Sequence, residues 1–399
     1  MLPPVMFPSA MFPSAPSPTF GLYIHWPFCL SKCPYCDFNS HVWADIPYDR
    51  MANALKAELQ SYTPLMAGRK LRSLFFGGGT PSLMPPHTVE SLIEAAYASF
   101  STTDMVEITL EANPTSAETE KLRAFKAAGI NRLSIGVQSL IPEELTRLGR
   151  THNVQQARAA LETANRFFAR YSFDLIYARP HQSLQDWQEE LSMALTLAGD
   201  HLSLYQLTIE PNTAYASLHR QGKLTLPDDE QAAAFYRLTD KLLAAQGFFP
   251  YEISNYARPK GESLHNLGYW HYHDYIGIGP GAHGRLTLPD GHIYATRSHR
   301  SPQHWLENME QRGKATRQNT PLTAHEKAEE MLLMGLRLQK GINGEEFLAR
   351  TGLALTDLLN PSALQACLEE GYLTMAHNQL APTLEGRLRL EAILAALLG

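Results

Sequence analysis

Residues 29–36 read Cys-Leu-Ser-Lys-Cys-Pro-Tyr-Cys and follow directly after an apolar segment, Gly21–His25. Three thiolates on one loop, those of Cys29, Cys33 and Cys36, can ligate three irons of a [4Fe–4S] cluster and leave the fourth iron open to an outside ligand. Two alternatives remain: a zinc site that a nearby histidine, His25 or His41, would complete, and three unligated thiols. The fourth cysteine, Cys367, is far away in the chain, which excludes a disulfide framework.

Short apolar segments alternate with helical patterns through the first half of the chain. The predicted strands are Gly21–His25, Ser73–Phe76, Val106–Glu111, Arg132–Val137, Ser172–Tyr177 and His201–Leu207. The predicted helices between them are Asp49–Ser61, His87–Phe100, Ala117–Ala128, Val154–Phe168 and Leu184–Ala198. This alternation predicts an α/β fold with a parallel sheet and helices packed outside it. An open doubly wound sheet and a partial barrel both satisfy the pattern.

Glycines or polar residues stand at the ends of several predicted strands. The segment Gly77-Gly-Gly-Thr-Pro81 follows the second strand, and its glycines either let the backbone approach a ligand or form a tight turn. Glu111 ends the third strand, Gln138 follows the fourth, and Asp174 lies inside the fifth. A charge inside an apolar strand is costly unless it is paired or faces a cavity. Because parallel barrels build their sites at the carboxyl ends of the strands, we expect these residues and Arg150 to meet.

The spacing C-x₃-C-x₂-C, with an aromatic residue before the last cysteine, resembles the radical S-adenosylmethionine (SAM) superfamily. The resemblance implies a partial (β/α)₆ TIM-like barrel over residues 20–210 and a [4Fe–4S] cluster whose open iron chelates SAM. In that superfamily the reduced cluster cleaves the sulfonium and yields a 5′-deoxyadenosyl radical. The motif matches imply a SAM pocket formed by Tyr23, Tyr35, Gly78, Gly79, Thr80, Glu111, Gln138, Arg150 and Asp174.

From about residue 21 onward the chain resembles the HemN/HemW branch of the superfamily, which contains coproporphyrinogen III dehydrogenases and heme chaperones. The dehydrogenases carry a further cysteine where this chain has Phe38, so the segment 36–40, Cys-Asp-Phe-Asn-Ser, favours the chaperones. Residues 265–270, His-Asn-Leu-Gly-Tyr-Trp, match a heme-associated motif of the chaperones. The resemblance implies heme contacts at His265, Tyr269 and Trp270.

Two features near these motifs leave alternatives open. Other histidines lie close to the heme-associated motif, so further iron ligands are available: His271, His273 and His283. The motif can also shape the barrel mouth, because a Gly-rich segment, residues 277–284, follows it.

The branch usually has Gly-Leu where this chain has Ala178-Arg179. A positive φ at Ala178 would be strained, and Arg179 puts a charge near the predicted SAM pocket.

Composition predicts a cytoplasmic globular protein. Hydrophobic residues make up 44% of the 399 positions, and the net charge of −6 gives no reason to bind nucleic acid or an anionic membrane. Residues 1–19 contain a repeated Met-Phe-Pro-Ser-Ala and predict a disordered Pro-rich tail without the features of a signal peptide. No apolar run reaches the roughly 18 residues of a membrane span. The few cysteines indicate a reducing compartment.

The pattern changes after residue 210. Residues 211–320 are rich in Pro, Gly, His and Tyr and predict a region that caps the barrel and contacts substrate. Residues 321–399 predict an α+β region that resembles a winged-helix module, with helices His325–Gln339, Gly344–Thr351 and Pro361–Glu370, a strand pair near Tyr372–Ala381, and a final helix from Leu384. Its 6 basic and 10 acidic residues favour a structural or protein-binding role over DNA binding.

The sequence therefore predicts a radical SAM-fold heme chaperone that binds a [4Fe–4S] cluster, SAM and heme. The expected partner is a client hemoprotein, with a respiratory one as the first candidate, at most transient membrane contact, and no nucleic acid. A homodimer that covers the open side of the barrel is compatible with the pattern. Whether SAM is cleaved stays open. The alternatives are a coproporphyrinogen III dehydrogenase and a non-enzymatic regulatory or scaffold protein.

Overall fold

All six predicted strands are present at the centre of one large sheet. A computed structural model of the protein describes residues 18–399. Its strands are β1 (Thr19–Trp26), β2 (Phe28–Cys29), β3 (His41–Val42), β4 (Lys70–Gly78), β5 (Ser101–Ala112), β6 (Arg132–Gln138), β7 (Arg170–Tyr177), β8 (His201–Gln206), β9 (Phe249–Pro250), β10 (Asn255–Ala257), β11 (Tyr275–Ile278), β12 (His283–Thr287), β13 (Ile293–Ser298), β14 (Thr316–Pro321), β15 (Ile342–Asn343), β16 (Leu373–Ala376) and β17 (Gln379–Pro382).

Helices connect these strands and cover the sheet. They are α1 (Tyr48–Ser61), α2 (Pro86–Ser99), α3 (Ser116–Ala127), α4 (Pro142–Arg147), α5 (Val154–Phe167), α6 (Leu184–Leu195), α7 (Ala214–Arg220), α8 (Asp229–Ala244), α9 (Leu264–Trp270), α10 (Pro302–Arg312), α11 (Ala324–Gly335), α12 (Gly344–Thr351), α13 (Leu355–Leu358), α14 (Pro361–Glu369), α15 (Leu384–Arg387) and α16 (Leu390–Leu398). Two short 3₁₀ turns, Thr63–Met66 and Pro81–Leu83, complete the set in the described range. The predicted helices all appear, with ends that differ by a few residues.

The sheet has the order β14-β13-β12-β11-β1-β4-β5-β6-β7-β8-β10-β9. The six strands from β1 to β8 in this order run parallel, as the βα alternation predicts. On the other side of β1, β11 adds another parallel strand, with Gly21 opposite Tyr275. The edge strands β14 and β9 do not pair with each other within residues 18–399, so the sheet forms a partial barrel.

Apolar residues fix this arrangement by filling both sides of the sheet. Leu22 and Ile24 of β1 are fully buried, as is Phe76 of β4. Strands buried on both faces are typical of parallel sheets that helices cover. Helix α5 begins with a capping box between Asn153 and Gln156 and buries one apolar side, which includes Ala157, Leu161 and Ala164.

Residues 211–320, which the sequence predicts to cap the barrel, also extend its sheet. They supply β11 and the antiparallel strands β12, β13 and β14 at one edge and β10 and β9 at the other. The Gly-rich segment expected as a loop begins inside β11. A Cβ on Gly277 would collide with the carbonyl oxygen of His283, so glycine is required there for the close approach of β11 and β12. Glycines that serve strand packing therefore gave the sequence a loop-like composition.

The C-terminal residues form a second, smaller core. Leu332 of α11, Phe347 of α12 and Leu394 of α16 belong to it, together with Leu380 of the small sheet β15-β17-β16. The hairpin predicted near Tyr372–Ala381 is therefore present and carries a third strand, β15. The helices and hairpin agree with the predicted α+β module.

A buried carboxylate joins this module to the barrel sheet. Asp274, just before β11, pairs with Arg69 at 2.5 Å and with Arg350 of α12. It also accepts a hydrogen bond from the backbone N–H of Thr287 at 2.6 Å. Burial alone would raise the pKa of Asp274, but the two guanidinium groups hold the pKa below its ordinary value. The carboxylate is thus paired on both sides, as a buried charge requires.

The predicted N-terminal tail falls almost entirely on residues 1–17, outside the described range. The two remaining residues are part of the fold: Thr19 begins β1, and the carbonyl of Pro18 accepts a hydrogen bond from Lys70. None of the described helices has the length and apolar character needed to cross a membrane.

Candidate functional site

The carboxyl ends of the parallel strands and the cysteine loop surround a cavity of about 420 Å³, hereafter the first cavity. Eleven of the predicted site residues line it: Cys29, Cys33, Tyr35, Cys36, Gly78, Gly79, Thr80, Glu111, Gln138, Arg150 and Asp174. The expectation that strand-end residues meet at one mouth agrees with this placement. Tyr23 is the exception, since it lies on β1 and faces a different cavity.

The cysteine loop presents its three sulfurs to the first cavity. Cys29, Cys33 and Cys36 are partly buried free thiols, and the hydroxyl of Thr80 donates to the sulfur of Cys29 at 3.4 Å. Burial raises the pKa of the Cys29 and Cys36 thiols. A metal that binds thiolates would have to displace these protons. Among the described residues, no group of three His, Cys, Asp or Glu side chains is arranged to hold a single metal ion.

Arg150 ties the cysteine loop to the strand ends. Its Nη1 donates to the sulfur of Cys33 at 3.4 Å and to the hydroxyl of Tyr35 at 3.5 Å. Its Nη2 donates to Asn113 Oδ1 at 2.5 Å and to the carbonyl of Gly136 at 2.9 Å. The Nε of Arg150 is buried without a hydrogen-bond partner in the described part of the chain. Since buried donors are normally satisfied, this atom is available to a ligand.

Two carboxyl groups stand in the wall of the first cavity. Burial, and secondarily the charge of Asp174, raise the pKa of Glu111 to about 8. Burial raises the pKa of Asp174 to about 6. Glu111 accepts a hydrogen bond from the backbone N–H of Gly78 at 3.2 Å, whereas Asp174 Oδ1 has no partner among residues 18–399. Perturbed carboxyls with spare acceptor atoms in a cavity are the pattern of a ligand site.

The glycines after β4 are required by packing. Gly78 has φ +116°, and a Cβ there would lie 2.6 Å from the His25 ring. A Cβ on Gly79 would lie 2.7 Å from the carbonyl oxygen of Phe28. The space beside these glycines is therefore filled by His25 of β1 and by Phe28, the residue before the cysteine loop. The same bend points the Gly78 N–H at Glu111, which belongs to the cavity wall.

Ala178 and Arg179, the departure from the branch pattern, have separate consequences. Ala178 has φ +54°, so the strain anticipated for a non-glycine residue is present. Arg179 does not itself line the first cavity, and the effect of its charge on the pocket stays a prediction. It is buried and pairs with Glu190 at 2.5 Å, while its Nη1 donates to Ser139 at 2.9 Å. The charge of Arg179 is therefore neutralised by Glu190. Through Ser139, the Arg179 side chain also links the segment after β7 to the segment after β6.

A second cavity of about 630 Å³ lies beside the first. The two share Phe38, Gly78 and Glu111 in their walls. The second cavity is lined mainly by aromatic residues, histidines and arginines: Tyr23, His25, Tyr269, Trp270, Tyr272, His273, Tyr275, His283, Arg285, Arg297 and Arg300. Tyr269 and Trp270 of the predicted heme motif are thus on a cavity wall.

His265, the first residue of that motif, is not on the second cavity. It is buried, with Nδ1 bonded to Ser73 Oγ at 2.9 Å and Nε2 bonded to the Tyr269 hydroxyl at 2.8 Å. Its ring stacks on Phe75 with centroids 4.9 Å apart. Burial and the neighbouring Arg72 lower the pKa of His265 to about 3, so the ring is neutral. Both nitrogens are occupied, so this conformation positions Tyr269 and leaves no lone pair for a metal.

Comparison with known proteins agrees with this geometry. Residues 23–194 match the radical SAM superfamily, and residues 322–389 match the HemN C-terminal domain. The chain is 38% identical over 379 residues to heme chaperone HemW of Escherichia coli (strain K12), covering 94% of this chain and 97% of that protein. The chain belongs to the radical SAM superfamily and, within it, to the HemW family.

The chain is also similar to proteins with other names. Radical S-adenosyl methionine domain-containing protein 1, mitochondrial, of Danio rerio is 39% identical over 385 residues, which cover 95% of this chain and 86% of that protein. Among solved structures, the coproporphyrinogen III oxidase HemN from Escherichia coli matches with a TM-score of 0.79 at 24% identity, over 97% of this chain and 91% of that chain. At that identity the likeness supports the fold.

Several residues of the first cavity in this HemW-family chain were not anticipated from sequence. Asn113 accepts from Arg150 and donates to the Thr80 hydroxyl at 3.1 Å, so it connects two strand ends. Residues 205–208, at the end of β8, also line the cavity, through Tyr205, Gln206, Leu207 and Thr208. The signal for them was present, because β8 is the sixth parallel strand and its carboxyl end meets the other five. Asn113 stands two residues after Glu111 and shares its strand end.

Proposed function

We propose that this protein binds a [4Fe–4S] cluster and SAM in the first cavity and carries heme as cargo for delivery to a hemoprotein. One observation carries the proposal: three free thiols and the strand-end residues line a single cavity in a chain that is 38% identical to a heme chaperone over nearly its full length. The adjoining second cavity, with its aromatic lining, provides space for a cargo.

The residues of the first cavity fit the two cofactors that the superfamily implies. Cys29, Cys33 and Cys36 would hold the cluster. The orphaned Asp174 Oδ1 and Arg150 Nε are an acceptor and a donor for the polar groups of SAM, with Glu111 as the acceptor for its ribose hydroxyls. A bound and reduced cluster would supply the electron for the superfamily's cleavage of SAM, and whether this chain cleaves SAM stays open. The protein contributes orientation, a shaped cavity and charge.

The heme contacts are proposed for the second cavity. Tyr269 and Trp270 line it and offer aromatic surface to a porphyrin. His265 supports this wall from behind through its hydrogen bond to Tyr269, and we assign it a positioning role. A His265→Ala variant would weaken heme binding by freeing the Tyr269 ring, without removing an iron ligand.

The cellular setting belongs to the same proposal. We place the protein in the cytoplasm, with a respiratory hemoprotein as the first candidate client, transient membrane contact at most, and no nucleic acid. The acidic balance of the C-terminal module, 6 basic against 10 acidic residues, supports the last point. A homodimer across the open barrel edge is a further part of the proposal, and sedimentation of the cofactor-loaded protein would test it.

The test is an anaerobic titration of the cluster-reconstituted protein with hemin, followed by visible absorbance. The expected result is saturation near one heme per chain, with weaker binding in His265→Ala. An apo-hemoprotein is then added to the hemin-loaded protein. If the hemin stays on the loaded protein, this result would speak against delivery. Absence of saturable binding by the wild-type protein with its cluster and SAM intact would overturn the proposal.

A second candidate function is that of a coproporphyrinogen III dehydrogenase, since the fold is similar to that of HemN. Phe38 stands where the dehydrogenases have a further cysteine, and it is 61% exposed in the wall common to both cavities. An anaerobic incubation with coproporphyrinogen III, SAM and a reductant decides between the two, because the dehydrogenase releases CO₂ and the chaperone does not.

A further inference from the structure

The second cavity contains polar atoms that the protein itself leaves unsatisfied. Trp270 Nε1, His273 Nδ1 and Arg297 Nε are all buried without a hydrogen-bond partner among residues 18–399, and all three residues line this cavity. Buried polar groups are satisfied in the great majority of cases, and each exception needs an explanation. Three exceptions around one cavity point to a polar ligand that this cavity is built to hold.

The charges of the cavity favour an anionic ligand. Arg285 is already used, because it donates to both oxygens of Glu330 at 2.8 and 2.7 Å. Arg297 and Arg300 have no carboxylate partner in the described part of the chain, and Glu330 is occupied by Arg285. Two uncommitted guanidinium groups match a molecule that carries two carboxylates. Guanidinium–carboxylate pairs are among the strongest hydrogen bonds that proteins form.

The histidines of the cavity differ in their availability to iron. His25 is committed at both nitrogens, to the Tyr23 hydroxyl and to the carbonyl of Asn39, each at 3.0 Å. His273 makes no side-chain hydrogen bond to the described residues. His273 lines the second cavity, and its buried Nδ1 is not occupied by any described protein group. Neutral imidazole is the form that ligates iron.

We infer that the second cavity is the heme seat, with His273 as an iron ligand and Arg297 as a partner of a heme propionate. The inference rests on the proposed function and assigns it to named residues. Trp270 supplies the wall beside His273: its ring is covered on one side by the guanidinium of Arg337 at 4.8 Å. The cavity volume of about 630 Å³ is within the range of pockets that bind organic cofactors.

Five variants of the cluster-reconstituted protein test the assignment by anaerobic hemin titration and visible spectra. His273→Ala should change the spectrum of bound heme, and added imidazole should restore it. The matched control is His271→Ala, since His271 stacks on His273 at 5.7 Å but does not line the cavity. Arg297→Gln should bind hemin about 10- to 100-fold more weakly without a spectral change, because a charge-assisted hydrogen bond is lost. Its control is Arg317→Gln, an exposed arginine on β14.

A second probe needs no variant. Hemin dimethyl ester lacks the two carboxylates, so the wild-type protein should bind it about 10- to 100-fold more weakly than hemin. The ratio of hemin affinity to ester affinity should be smaller in Arg297→Gln than in the wild type. Equal affinity of the wild-type protein for both probes would overturn the propionate assignment even if a variant failed to fold.

The outcomes separate the two proposals. If wild-type protein does not bind hemin saturably, the proposed function fails. If it binds hemin but His273→Ala and Arg297→Gln behave like their controls, the function stands and the location is wrong. A spectral change in His283→Ala together with none in His273→Ala would overturn the ligand assignment, since His283 also lines the cavity. Cluster absorbance and SAM affinity, measured on every variant, show that the first cavity is intact.

Discussion

Replacing Glu111 by glutamine should stabilise the cofactor-free protein at alkaline pH and weaken its binding of SAM. Burial, with a contribution from Asp174, raises the pKa of Glu111 from 4.5 to about 8 in the folded protein. The folded state therefore keeps a proton that the unfolded chain releases. Stability is highest below the unfolded pKa and decreases as the pH rises through the folded pKa. Glutamine has no proton to release, so Glu111→Gln escapes this loss.

The size of the effect follows from the two pKa values. They differ by about 3.5 pH units, and each unit corresponds to about 1.4 kcal/mol of unfolding free energy. The gain of Glu111→Gln over wild type should be below about 1 kcal/mol at pH 5 and approach about 4 kcal/mol at pH 8.5. The amide oxygen of glutamine still accepts the hydrogen bond that Gly78 donates to Glu111 at 3.2 Å, so the local packing is kept.

Urea unfolding of the cofactor-free protein at pH 5, 7 and 8.5 measures this difference. Glu120→Gln is the control, because Glu120 is exposed on α3 and should show no pH-dependent gain. The same Glu111→Gln protein, loaded with its cluster, should bind SAM at least about tenfold more weakly in calorimetry, since an amide oxygen is a weaker acceptor than a carboxylate. A stability difference that stays constant from pH 5 to 8.5 would refute the assignment of a raised pKa to Glu111.

Three further predictions concern the cysteine loop and the two buried arginines. Cys33→Ser should abolish the cluster absorbance after anaerobic reconstitution, whereas Cys367→Ser, in the C-terminal core, should leave it unchanged; equal loss would contradict the ligand assignment. Arg150→Gln should weaken SAM binding about 10- to 100-fold in calorimetry, and an unchanged affinity would remove Arg150 from the site. Arg179→Met should lower the urea midpoint by an amount equivalent to about 3–5 kcal/mol, because it leaves Glu190 buried without its partner, and a second change, Glu190→Leu, should restore most of the loss.

The fold could be predicted from the sequence because its centre repeats one pattern. Each of the six strands is an apolar segment followed by an amphipathic helix, and the superfamily resemblance selected a partial barrel over an open doubly wound sheet. The additional strands β11–β14 could not be predicted in the same way. Their residues include Gly277 and Gly284, which allow neighbouring strands to approach closely. Because glycine has no side chain, these positions break the alternation of apolar and polar residues that identifies a strand. The domain limits at residues 210 and 320 stay predictions.

The first cavity could be predicted more fully than the second because strand ends fix position. Glu111 and Gln138 follow from where their strands end, and Asp174 lies inside the neighbouring strand β7, so topology brings them together. A linear motif does not fix which way its residues face. His265 and Tyr269 are neighbours on α9, yet His265 is buried against β4 and Tyr269 lines the second cavity. The pairing of Arg179 could not be predicted for a similar reason, since its partner Glu190 lies eleven positions further along and nothing in the sequence pairs them.

The shared wall between the two cavities gives the fold a means to couple its ligands. Glu111 lies in that wall and lines both cavities. A SAM molecule that hydrogen-bonds to the ionised carboxylate favours the charged form and so places a negative charge at the border of the second cavity. Arg297 and Arg300 offer positive charge to a propionate in that second cavity. Because coupling between two bound ligands is reciprocal, any factor by which SAM changes heme affinity must also describe the effect of heme on SAM. For the proposed heme carrier, such a coupling through one carboxyl group would link the binding of SAM to the retention or release of heme.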